Sequence, residues 1–161
     1  MNKMYLSKAY TIYQNVLGII DRITDSAYIS ASEIVALLNT ILGSNILKPQ
    51  HINYLLLDHH IIFRNKTSHK IQTADKFIIN PKYLKDCKEL QTPNYSFYIW
   101  NMEIIWTILN LNFNTLVNIN DLYKFCNILK RYVHINFNYT KVFNNLIYLQ
   151  LILINSNYVH I

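Results

Sequence analysis

The side chains with most to offer a ligand fall in one stretch: Lys48, Gln50, His51, Asn53 and Tyr54, then Arg64, Lys66, His69 and Lys70. Gln and Asn each carry a donor beside an acceptor, a pattern that fits base edges, adenine above all. Lys and Arg supply cations for phosphates or guanine. Other groupings are weaker. His51, His59, His60 and His69 lack a carboxylate or Cys at ligand spacing, and adjacent histidines leave a helix or strand in different directions, so no metal is expected. Cys87 and Cys126 form no CxxC pair, and nothing favours a Cys–His nucleophile. Asp21 and Asp25, one helical turn apart around Arg22, read as charges at a helix end rather than a catalytic pair. Around Gly18 and Gly43 there is neither GxxxxGK[ST] nor GxGxxG. No enzyme and no cofactor is expected.

The elements that must position these residues follow from composition and spacing. Hydrophobic residues make up 52% of the 161 and charged residues 15%, enough apolar surface for a core. Only 2 Gly and 3 Pro argue against a turn-rich all-β design, leaving helices with short loops. The 15 Lys+Arg against 9 Asp+Glu give +6, a sign that suits an anionic partner. That excess comes from a shortage of acids. The 13 Tyr accompany abundant Asn, Ile and Lys, as an AT-rich coding sequence would give, so packing is the default role of the rings rather than stacking on single strands. Met1–Tyr13 is interrupted by Lys3 and Lys8, and Leu146–Ile154 is about half a membrane span in length. An intracellular protein without a membrane partner is the expectation, cytoplasmic or nucleoid-associated, or nuclear or host-cell if its source is eukaryotic or viral.

An internal repeat organises the chain. Ser30 and Glu33 have capping-box spacing, and Ile34, Leu37, Leu38 and Ile41 follow on one helical face. Eighty-eight residues on, Asn118 and Asp121 take the capping positions, and Leu122, Phe125, Cys126 and Leu129 repeat the face. Ile12, Val16, Ile20 and Ile23 match Trp100, Ile104, Ile108 and Leu111 at the same shift, and Tyr28-Ile29 matches Leu116-Val117. At a shift of 90, Ile52 and Leu56 match Val142 and Leu146.

Each unit then reads as helix, short strand, two helices and a hairpin. In the first, helices are predicted near Tyr5–Thr24, Ser32–Leu42 and Pro49–Asp58, with Pro49 at the first helical position. Hairpin strands His60–Arg64 and Lys70–Thr73 follow, joined by a tip at Asn65–His69. The second has helices near Phe97–Leu111, Asn120–Tyr132 and Tyr139–Tyr148, with strands Leu151–Ile154 and Tyr158–Ile161 around the turn Asn155-Ser156-Asn157. Trp100 and Trp106 would anchor the core of its first helix. Residues 1–76 and 97–161 are the two units, and 77–96, with Pro81 and Pro93, is the linker.

This order of elements resembles the winged helix, a helix-turn-helix variant with a β-hairpin wing, here twice in tandem. The expected class is mainly α with small β-hairpins (α+β). The resemblance implies a double-stranded-DNA-binding protein, a transcription regulator or a replication or partition accessory factor. If Ile52, Leu55, Leu56 and His59 face the core, Gln50, His51, Asn53 and Tyr54 turn outward toward base edges. Lys48, Arg64, Lys66, His69 and Lys70 would then reach phosphates. The second unit offers Thr140, Lys141, Asn144 and Asn145 but an uncharged wing tip, which better suits a protein contact such as a homodimer. A winged-helix protein-interaction module, or a subunit of a larger assembly, is the alternative, because fold alone does not choose between them.

Overall fold

In the computed structural model of the chain, the residues described are 14, 18–19, 22, 26–67, 76–109 and 118–155. The helix expected over Tyr5–Thr24 lies largely outside them. The chain enters strand β1 (Tyr28–Ser30) through Ala27, whose φ is 60°. Ser30 then closes the predicted capping box on helix α1 (Ala31–Leu42). Its hydroxyl accepts from the Glu33 N–H at 3.1 Å, while the Glu33 carboxylate accepts from the Ser30 N–H at 3.0 Å. The Arg22 guanidinium also grips that carboxylate and donates to the Tyr28 carbonyl at 2.9 Å. Gly43, at φ 67°, ends the helix in the left-handed region that glycine tolerates.

Pro49 opens helix α2 (Pro49–Asp58) as expected, and Ile52, Leu55 and Leu56 are buried beneath it. His59 caps its end and is exposed, so it does not join the core face expected of it. His60, at φ 57°, turns the chain, with the Asn80 amide donating to its carbonyl at 2.7 Å. Strand β2 (Ile62–Arg64) pairs antiparallel with β3 (Phe77–Ile79), Ile62 opposite Ile79 and Arg64 opposite Phe77. Among the described residues the partner of β2 is thus Phe77–Ile79, an apolar run that suits a half-buried pleat. The expected return strand Lys70–Thr73 lies outside the described residues.

The stretch expected as a linker is built of regular elements. A short 3-10 helix (Pro81–Asp86) starts at Asn80, whose side-chain oxygen accepts from the Lys82 N–H at 3.1 Å. Strand β4 (Cys87–Gln91) then forms a hairpin with β5 (Ser96–Asn101), closed where the Thr92 N–H donates to the Tyr95 carbonyl at 2.8 Å. Because β5 also pairs with β1, the sheet order is β1-β5-β4. The helix expected over Phe97–Leu111 is thus a strand as far as Asn101, and only Met102–Leu109 forms helix α3. Phe97-Tyr98-Ile99-Trp100 is aromatic and β-branched, a composition that favours the pleat once partners stand on both sides.

In the second half, Asn118 caps helix α4 (Ile119–Leu129), its side chain accepting from the N–H groups of Asn120 and Asp121. Leu122, Phe125, Cys126 and Leu129 are buried at the predicted spacing. Helix α5 runs from Tyr139 to Asn155, so Leu151–Ile154 is helix where a strand was expected. No Gly, Pro, Asn or Asp interrupts Leu146–Ile154, and nothing in the local sequence stops the helix before Asn155. The expected strand Tyr158–Ile161 lies outside the described residues. Both halves feed one hydrophobic core, in which Ile34, Leu38 and Leu56 join Trp100, Phe125 and Val142. The fold is mixed α+β with small antiparallel sheets. Among the described residues, no helix is long and apolar enough to cross a membrane.

Candidate nucleic-acid interface

Burial of Ile52, Leu55 and Leu56 fixes which way α2 faces. Lys48, Pro49 and Gln50 are exposed at its start, and Asn53 and Tyr54 are half-buried. The Asn53 amide makes no hydrogen bond with other described residues, so its donor and acceptor stay available. Tyr54 is less free, because its ring lies 5.2 Å from that of Tyr132 in the second half. Near the same seam, Arg131 approaches the Asp58 carboxylate at 3.8 Å.

His51 departs from the outward position expected of it. It is only 6% exposed, and its Nδ1 accepts the Lys48 backbone N–H at 2.9 Å. One turn before buried Leu55, it shares the inner side of the helix and satisfies an N–H that would otherwise be orphaned there. Burial, and next the Lys48 charge, lower its pKa from the usual 6.5. With its Nδ1 engaged inside the helix start, the imidazole acts as a capping group rather than standing on the outer face of α2.

The β2–β3 hairpin presents Arg64 at the end of β2 and Lys66 in the following turn, both exposed. Asn65 shapes that turn: its side-chain oxygen accepts from the Thr67 N–H at 3.2 Å and the Thr67 hydroxyl at 2.8 Å. Pro49 and Asn53 of α2 line the same cavity as Ile62 of β2 and Phe77 of β3, so the helix start and the hairpin are neighbours. His69 and Lys70 lie outside the described residues. On the outer face of the hairpin, Phe63 stands opposite Ile78 and both are exposed.

The second half commits its polar residues differently. The Lys141 ammonium donates to the Gly43 carbonyl at 3.0 Å, and the buried Asn145 amide donates to the Ile41 carbonyl at 2.9 Å. Both occupy the C-terminal end of α1, where carbonyls lack helical partners. Thr140 and Asn144 remain exposed. Nearby, the rings of Tyr123, Phe137 and Tyr139 lie within 4.9–5.6 Å of one another, and Phe143 and Ile147 extend an exposed apolar stripe along α5.

The sequence reading missed the aromatic hairpin beside α2. Tyr95, Phe97, Tyr98 and Trp100 line a cavity of about 210 Å3 together with Asn53 and Phe77. The alternating rings of Tyr95-Ser96-Phe97 are the available signal, but the expected boundary between linker (77–96) and helix (Phe97–Leu111) divides that run. Cysteine chemistry gains no support: burial pushes the Cys126 thiol up to about 12 and raises that of Cys87 too, so neither favours the thiolate. Among the described residues, no group of three or more His, Cys, Asp or Glu side chains is placed to hold a metal ion. Compared with protein-family models, curated proteins and solved structures, the chain matches none.

Proposed function

We propose that the chain is a non-enzymatic protein that binds double-stranded DNA through its first half, a winged-helix-like unit, with the second half a diverged copy of it. The reading is supported chiefly by one observation: exposed Lys48 and Gln50 at the start of α2 adjoin a wing with exposed Arg64 and Lys66. The three cations would hold phosphates on either side of a groove, while Gln50 and Asn53 approach base edges. Tyr54 plays a lesser part because it packs on Tyr132. Transcription regulation and replication or partition accessory roles both suit such a protein.

Phosphate contacts release counterions, so log affinity for a duplex should fall linearly with log salt, by roughly 0.9 per contact. Reversing Arg64 and Lys66 to Glu should weaken binding to every duplex sequence and flatten that slope. A second reading, a protein-interaction module, is favoured by the exposed stripe of Tyr139, Phe143 and Ile147. In this reading two copies meet through the stripe. Absence of duplex binding at low salt, with concentration-dependent dimerisation in sedimentation, would select it over DNA binding.

A further inference from the structure

The cavity between the starts of α1 and α2, the β2–β3 hairpin and β5 has a size and lining that fit one class of ligand. An apolar cavity of roughly 150 Å3 accepts a benzene ring, whereas drug-sized ligands need about 300 Å3 or more. At about 210 Å3 this one admits a single planar ring system and not a dinucleotide. Phe77, Tyr95, Phe97, Tyr98 and Trp100 line it, and the Tyr95 and Phe97 rings lie 5.7 Å apart. Such walls hold a flat ring by stacking.

Asn53 narrows the choice. An apolar side chain filling the cavity would bury this amide without a partner, which costs free energy. A ring that carries a donor and an acceptor on one edge would satisfy it, as adenine does through N6 and N7. Lys48, one residue before the cavity-lining Pro49, supplies a cation for the adjoining phosphate. We propose that this cavity is a receptor for one unstacked DNA base, preferentially adenine. A base within an intact duplex cannot enter, so the site takes a base that is unpaired or flipped out of the helix. The inference rests on the DNA-binding reading and adds a preference for duplexes that offer such a base.

The test compares two duplexes, identical except that one carries a single unpaired adenine, by fluorescence anisotropy with the full chain. The wild-type protein should bind the bulged duplex about tenfold more tightly than the paired one. Tyr95 is 52% exposed, so Tyr95→Ala combined with Phe97→Leu truncates the cavity wall with little loss of core. This variant should lose the tenfold advantage and bind the paired duplex within about twofold of wild type. Independently of any variant, deoxyadenosine monophosphate should shift the Trp100 indole N–H resonance of the wild-type chain, and inorganic phosphate should not. Equal affinity for the two duplexes, an advantage that survives in the folded variant, or an unmoved Trp100 resonance at millimolar nucleotide would each overturn the base receptor. In those cases binding to the paired duplex keeps the broader DNA reading intact. Absence of binding to either duplex at low salt overturns both.

Discussion

Leu55 of α2 and Asn145 of α5, set side by side by the 90-residue shift in apolar spacing, are both buried. Leu55 packs into the apolar core. Asn145 instead donates to the Ile41 carbonyl and so ties its helix to the end of α1 in the other half. The two helices also end differently. His59 and left-handed His60 stop α2 and lead into β2, whereas α5 continues to Asn155. Similar apolar spacing therefore serves two purposes: α2 keeps a polar outer face beside a hairpin, and α5 braces the end of α1. Recurrent apolar spacing does not carry a recurrent surface.

The comparison breaks most sharply if the halves turn out to be energetically separate. Phe125 is fully buried in α4, within the same cluster as Ile34, Leu38 and Leu56 of the first half. Phe125→Ala should cost about 3–5 kcal/mol, the range for removing a buried ring and leaving a cavity. Because the core is shared, urea unfolding should stay a single transition, and amides in α1 and α4 should lose exchange protection together. Loss confined to α4 would mean that the second half is an independent domain and not a brace.

A smaller effect tests the brace itself. Asn145→Ala leaves the Ile41 carbonyl without its side-chain donor and should cost about 1–3 kcal/mol, read from the shift in urea midpoint. Asn145→Leu copies the first half's residue, fills the volume and still leaves that carbonyl unpaired, so it should not restore wild-type stability. Lys141→Ala removes an exposed bond to Gly43 and should change stability by less than about 0.5 kcal/mol. Full rescue by Leu would show that Asn145 acts only as filler.

How far these features were legible depends on the range of the interaction that sets them. The Ser30–Glu33 box, Pro49 at the start of α2 and the buried faces of α1 and α4 are decided within a turn or two of helix, and the sequence displays them. The partner of β2 is not local. Phe77–Ile79 pairs with Ile62–Arg64 across an intervening stretch of chain, and apolar spacing alone does not identify that partner. Likewise Phe97–Trp100 is apolar enough for either helix or strand, and pairing with both β1 and β4 decides it. Of the candidate site, the exposure of Lys48, Gln50, Arg64 and Lys66 follows from charge and helix phase. The aromatic cavity escaped because its walls come from residues far apart in the chain.

The smallest expected effect concerns His51, which has no counterpart in the second half, where Val142 follows an exposed Lys141. Its pKa is lowered in the folded chain, chiefly by burial and then by Lys48. The folded state therefore resists protonation more than the unfolded chain, whose imidazole titrates near 6.5. Below that pH the unfolded state binds more protons, so stability falls with pH until the lowered folded value is passed. Above pH 6.5 the contribution is fully present. His51→Gln keeps a side chain able to accept at the third helical position but removes the titration. Urea midpoints from pH 7.5 down to 5 should show a steeper decline for wild type than for His51→Gln, with the two proteins close at pH 7.5. Because Lys48 and Gln50 flank the group, loosening of the helix start at low pH should also weaken duplex binding in wild type more than in the variant. Parallel stability curves would mean that His51 is not held neutral by the fold, and that its cap on the Lys48 N–H contributes no pH dependence to the face of α2.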